Sequence, residues 1–125
     1  MLADHPIDVL LLAKDLDAAK AFYADKVGLP LLSENPHVLC FKCGGDTRLF
    51  ISKSTVGTAD EQTQASWRVS DLTAEIAQLR ERGVKIEDYD TDDLKTIDGI
   101  ADIGFALMSW FIDPGGNCLG IAQFK

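Results

Sequence analysis

The sequence predicts an α+β fold made of two βαβββ modules, and three observations carry that prediction. Asp15-Leu16 opens a helical stretch that runs to Gly28, and Asp71-Leu72 opens a second that runs to Gly83. Each stretch follows a β-rich run and precedes short apolar runs separated by turn residues. The chain has 125 residues, enough for one domain but not for two of ordinary size, so the repeat is internal to a single domain spanning 1–125. Two copies of one supersecondary unit predict modules related by a pseudo-twofold axis, with a curved mixed sheet and helices packed outside it. Module 1 covers about 5–53, a linker 54–63 and module 2 about 64–125. Two equal units share a cleft, and function is expected there.

Each element has a local reason. Residues 7–13 are short, apolar and bounded by Pro6 and Asp15, which predicts a mostly buried strand. Asp15 is a candidate N-cap, Leu16, Ala19, Phe22 and Tyr23 form one apolar helical stripe, and Gly28 and Pro30 stop the helix. Strands at 29–34, 37–42 and 48–52 are separated by Asn35-Pro36 and by Gly44-Gly45-Asp46. In module 2, 64–70 predicts a strand, and Asp71 caps a helix lined by Leu72, Ile76, Leu79 and Gly83. A short strand is expected at 84–87, then a solvated acidic loop acting as a mobile lid. A hairpin of 105–112 and 118–124 closes around Asp113-Pro114-Gly115-Gly116-Asn117.

Composition excludes several classes. A formal net charge of −8 and a sequence pI near 4.5 oppose binding to a phosphate backbone, so no nucleic-acid partner is expected. No apolar run is long enough to span a bilayer, and residues 1–6 lack the basic and apolar regions of a signal peptide. With an odd count of three cysteines, this predicts a cytoplasmic protein with no membrane partner. The CxxC spacing of Cys40 and Cys43 falls on a strand, where i and i+3 face opposite ways, so structural thiols are expected. Asp88, Asp90, Asp92 and Asp93 resemble a calcium loop, but Asp93 and Gly99 stand where that loop needs Gly and Glu. His5 and His37 have no motif-linked nucleophile and are read as exposed or capping residues.

Asp-Leu-x-x-x-x-x-Phe-Tyr in the first helix and Asp-Pro-Gly-Gly-Asn before the last strand, set in a βαβββ repeat, resemble the vicinal oxygen chelate superfamily. It contains glyoxalase I, bleomycin-resistance proteins, fosfomycin-resistance enzymes and extradiol dioxygenases. Residues 88–90, 94–100, 110–111 and 119–121 look like an uncharacterised subgroup of it. The resemblance implies a cleft that in metal-using members holds a divalent ion through His, Gln or Glu, one from the first and last strand of each module. Carried to this chain, the first-strand slots lie seven residues before each Asp-Leu Asp, at Asp8 and Gln64. The last-strand slots fall at Gly120 and, by matching Leu49 and Ile51 to Leu119 and Ile121, at Phe50. A gap-free match would choose Leu49 instead of Phe50.

Only Asp8 and Gln64 of these could ligate a metal, and a site of this kind needs three or four protein ligands, so no cofactor is predicted. Strand parity puts Leu10 and Leu12 on the face of Asp8, Ser66 and Arg68 on that of Gln64, and Cys118, Ala122 and Phe124 on that of Gly120. The candidate ligand-binding residues are Asp8, Leu10, Phe50, Gln64, Ser66, Arg68, Met108, Trp110, Gly120 and Ala122. The profile is that of a small-molecule pocket, in which Gly120 leaves room for a ligand ring. Asp8 either contacts ligand or pairs with Arg68, and Trp110 and Met108 either line the cleft or join the core.

The leading expectation is a metal-independent small-molecule-binding protein that sequesters an amphipathic or aromatic ligand. The resemblance also implies a homodimer. The rival is a lyase, isomerase or dioxygenase with an atypical metal set on Asp8 and Gln64, or a metal-free enzyme using Asp8 as base. A third reading is a dimerisation module whose cleft is filled by its own side chains.

Overall fold

A computed structural model describes residues 1–125. The chain forms two compact units: Met1–Asp60 with Asp113–Asn117, and Glu61–Ile112 with Cys118–Lys125. Each carries a four-stranded mixed sheet and one main helix, so the α+β class and the repeated βαβββ order are both present.

In the first unit, a 3-10 turn at Leu2–Asp4 precedes β1 (Val9–Ala13), α1 (Leu16–Ala21), β2 (Leu31–Glu34), β3 (Val38–Lys42) and β4 (Arg48–Lys53). The strands lie in the order β1-β4-β3-β2, with β1 parallel to β4 and the other pairs antiparallel. Asp15 caps α1 by accepting a hydrogen bond from Ala18 N at 3.1 Å. Past Ala21 the helix widens into a π turn, Phe22–Val27, and Gly28 ends it at φ 83°. The widened turn buries two successive rings, Phe22 and Tyr23, and Tyr23 packs against Phe41. Leu11, Ala13, Leu39, Phe41, Leu49 and Ile51 complete this core on the helix side of the sheet. A fully buried side chain of this size contributes about 1.5–3 kcal/mol.

The first strand is shorter than expected. Pairing starts at Val9 opposite Leu49, because β4 itself begins at Arg48 and offers nothing for Ile7 to pair with; Ile7 is exposed.

Asp113–Asn117 sits in the first unit through a buried polar cluster. Asp113 accepts from Tyr23 Oη at 2.5 Å and from Asn117 Nδ2 at 2.9 Å through Oδ2, and from the Gly115 and Asn117 amides through Oδ1. Asn117 Nδ2 also donates to Leu12 O at 2.8 Å, and Thr58 Oγ1 donates to Asn117 Oδ1. A Cβ at Gly115 would stand 2.8 Å from Leu12 O, so the close approach of backbones requires glycine there.

The second unit holds β5 (Thr63–Arg68), α2 (Leu72–Glu81), β6 (Ala101–Asp102), β7 (Ala106–Ile112) and β8 (Cys118–Phe124), in the sheet order β5-β8-β7-β6. Asp71 caps α2 through Ala74 N at 3.1 Å, and Leu72 N donates to Gln123 Oε1 at 2.7 Å. Leu72, Ile76 and Leu79 are buried where α2 packs on β7 and β8, whose Phe111, Leu119 and Ile121 are also buried.

Two expectations for this unit are corrected. Residues 84–87 run beside β7 but contribute one backbone bond to it, Glu87 N to Trp110 O at 2.8 Å, and the fourth strand is Ala101–Asp102. The acidic stretch is a clamped excursion, not a free lid. Asp88 Oδ1 accepts from Thr96 Oγ1 and from Gly99 N, Thr96 Oγ1 accepts from Tyr89 N, and bridges join Asp90 to Lys95 and Ile97 to Ile100. Arg80 from α2 pairs with Asp98 at 3.3 Å.

Candidate functional site

The helix-free face of each sheet carries the residues in question. In the first unit β1 and β4 pair Leu10 with Phe50 and Leu12 with Ser52, and β3 adds Cys40 and Val38 to those rows. Leu10 is 63% exposed and Leu12 36%, while Leu11 and Ala13 between and beyond them are buried, which is the alternation expected of β1. Asp8, one residue before β1, turns its carboxylate onto β4: Oδ1 accepts from Arg48 N at 2.9 Å and Oδ2 from Arg48 Nη2 at 3.0 Å. The pairing of Asp8 is therefore with Arg48, not Arg68. The hydrogen bond to Asp8, then the Asp8 charge, hold the Arg48 guanidinium above its usual range, and its Cζ lies 5.4 Å from the Phe50 ring centroid.

In the second unit strand register brings the remaining residues together. Ser66, Gly120 and Trp110 form one row across β5, β8 and β7; Arg68, Ala122 and Met108 form the next. The two modules agree in detail, because Leu10 and Ser66 stand at equivalent distances before Asp15 and Asp71 and face Phe50 and Gly120 respectively. Gln64 departs from parity. A bulge between Thr63 and Ala65 places Thr63, not Gln64, opposite Cys118, and Gln64 Nε2 turns to Gln62 O at 2.9 Å.

This face is already covered from within its own unit. Tyr89 meets Trp110 edge-on with ring centroids 5.6 Å apart, and Leu94, Ile103 and Met108 pack on the cluster of Trp110, Cys118 and Ala101. Trp110 Nε1 donates to Thr63 Oγ1 at 3.0 Å. Burial raises the Cys118 thiol above its usual range, partly offset by hydrogen bonds with Thr63 and Tyr89. Of the two readings of Trp110, the core reading describes its surroundings; Ser66 and Arg68 remain exposed. Nor does Gly120 leave an open gap: a Cβ there would lie 3.2 Å from both Ser66 Oγ and Thr63 Cγ2.

Arg48 and Thr63 as neighbours of the site, and Tyr89 as its cover, carry no signal in the sequence pattern. Arg48 and Asp8 are linked only through the β1–β4 register, Thr63 enters through the bulge, and Tyr89 belongs to an aperiodic segment. No group of three or more His, Cys, Asp or Glu side chains lies together as a metal-binding set. A cavity of about 310 Å³ opens elsewhere in the first unit, among Lys14, Asp17, Lys20, Glu34, Asn35 and Lys53, and shares no residue with the predicted site. Its Lys20 and Glu34 are paired at 2.9 Å. No helix is long and apolar enough to cross a membrane.

Comparison with known proteins agrees with this architecture. No curated protein matches the sequence. Among solved structures, TnmS3, an antibiotic binding protein from Streptomyces sp. CB03234, is 26% identical, with 97% of this chain and 96% of that one aligned at a TM-score of 0.73. A glyoxalase/bleomycin resistance protein from the same source is 26% identical over 93% and 97%, with a TM-score of 0.67. Lactoylglutathione lyase from Agrobacterium tumefaciens shares the fold at 20% identity over 97% and 98%, with a TM-score of 0.70. The family model for the Glyoxalase/Bleomycin resistance protein/Dioxygenase superfamily matches residues 5–121, and the chain belongs to that superfamily.

Proposed function

We propose that this protein is a metal-independent small-molecule-binding protein of the glyoxalase/bleomycin-resistance type, sequestering an amphipathic or aromatic ligand. The observation that carries the reading is the chemistry of the four ligand slots. Phe50 and Gly120 offer no donor atom, both Asp8 oxygens are engaged by Arg48, and Gln64 sits in a bulge with its amide turned to Gln62. A divalent ion that polarises a substrate needs three or four protein ligands and an open position, and this donor set falls short. The exposed apolar side chains of Leu10 and Leu12, on one face of β1, support ligand binding, as does the likeness to an antibiotic binding protein. The binding surface is the helix-free face of the first unit's sheet, with Asp8, Leu10 and Phe50.

The reading carries with it a cytoplasmic homodimer. The edge strands β1, β2, β5 and β6 give a physical reason for self-association, and light scattering of the purified chain measures it. Ligand binding is tested by thermal shift against a panel of glycopeptide antibiotics, polycyclic aromatics and acidic metabolites, because a ligand that binds only the folded state raises its stability. A saturable shift with at least one class is expected. No shift in any class, together with stoichiometric metal in the purified protein and turnover lost in Asp8→Ala or Gln64→Ala, would replace this reading with a glyoxalase-type lyase, isomerase or dioxygenase.

A further inference from the structure

The helix-free face of the first sheet is graded from apolar to charged. One row is Leu12, Ser52 and Val38, the next is Leu10, Phe50 and Cys40, and at the far end Arg48 stands directly opposite Lys42. Alternation puts Lys42, Cys40 and Val38 on one face of β3, and Arg48, Phe50 and Ser52 on the matching face of β4. Like charges directly opposed on neighbouring strands repel. Asp8 offsets only part of this, since both its oxygens are bonded to Arg48 and Lys42 has no carboxylate within ion-pair distance. The charged row therefore holds two cations against one anion, in a chain whose net charge is −8. Arg48 also leans along the face, over Phe50, instead of extending away from it.

An exposed apolar pair, Leu10 and Leu12, beside a charged row with one more cation than anion is complementary to one kind of ligand. We propose that this face binds an amphipathic monoanion, its aromatic or aliphatic body on Leu10, Leu12 and Phe50 and its acidic group at Lys42 and the N–H donors of Arg48 that Asp8 leaves over. The assignment rests on the ligand-binding reading above and deepens it by giving the ligand's charge and orientation.

The test uses a matched pair of fluorescent probes on the full chain, the anionic anilinonaphthalenesulfonate and the uncharged N-phenylnaphthylamine. The sulfonate binds at one site per chain, about tenfold tighter than the uncharged probe at low salt, and the preference shrinks as salt is raised. Lys42→Met weakens the sulfonate about five- to tenfold and leaves the uncharged probe unchanged, Leu10→Ser weakens both, and Lys95→Met changes neither. Circular dichroism of each variant separates lost binding from lost folding. Equal affinity for the two probes, with no effect of Lys42→Met, overturns the anion assignment while leaving ligand binding intact. Binding of neither probe overturns ligand binding at this face. Should Leu10→Ser instead convert a dimer to a monomer while the parent chain binds neither probe, the occupant of the face is a second copy, and the proposal fails.

Discussion

Replacing Asp113 by Ala should be the most damaging single polar substitution in the first unit. Asp113 is only 5% exposed and accepts four hydrogen bonds, from Tyr23 Oη, Asn117 Nδ2, Gly115 N and Asn117 N. A hydrogen bond to a charged acceptor contributes about 1.5–3 kcal/mol net, and an orphaned buried donor costs about 1–3 kcal/mol. These terms are not additive, and removing the carboxylate also removes its own desolvation cost, so the expected loss is about 3–5 kcal/mol. For a chain of this size that corresponds to a fall in Tm of roughly 10–20 °C. Urea titration followed by far-UV circular dichroism reads the midpoint directly. Tyr23→Phe removes one of the four donors and should cost about 1–2 kcal/mol, well short of Asp113→Ala. A loss below about 1 kcal/mol for Asp113→Ala, or equal losses for the two variants, would refute the view that Asp113 is the hub of this cluster.

Three further outcomes follow from the same geometry. Burial, then the Asp113 charge and hydrogen bond, hold the Tyr23 hydroxyl protonated well above the ordinary tyrosine range, and burial raises Tyr89 as well. Their contribution is complete below about pH 10 and is lost above it, as the unfolded chain releases protons that the folded one retains; the unfolding free energy from urea titrations should fall from there at up to about 1.4 kcal/mol per pH unit for Tyr23, and less steeply in Tyr23→Phe. Tyr89→Ala uncovers Trp110, so tryptophan emission should shift to the red with a loss of about 2–4 kcal/mol; unchanged emission would mean that the segment does not cover the sheet. Gly120→Glu places a side chain against Ser66 and Thr63 and should cost about 1–3 kcal/mol without yielding zinc binding by calorimetry, whereas tight zinc binding would show that one missing donor was all the site lacked.

Much of the scaffold was legible because it is written in local chemistry. Asp15 and Asp71 cap their helices through the third amide onward, Gly28 closes a helix in the left-handed region, and the alternation of Leu10 and Leu12 against Leu11 and Ala13 follows from the strand period. The equivalence of Phe50 and Gly120 was legible from their flanking residues. Features that depend on pairing distant segments were not. The Asp8–Arg48 bond requires the parallel β1–β4 register, and a single extra residue in β5 moves Thr63 into the place that counting gives to Gln64. Residues 84–100 have no hydrophobic period, and their shape comes from side-chain bonds such as those from Thr96 and Gly99 to Asp88. That is why they read as a loose acidic loop and fold as a clamped cover.

Ligand binding without a metal is open to one direct measurement. The purified full chain, with metal content determined by mass spectrometry, is screened by thermal shift against the compound panel before and after exhaustive dialysis with EDTA. A saturable shift with at least one class is expected, the same size in both preparations and still present in Gln64→Ala. A shift that vanishes with EDTA, returns with a stoichiometric divalent ion and disappears in Asp8→Ala and Gln64→Ala would contradict it.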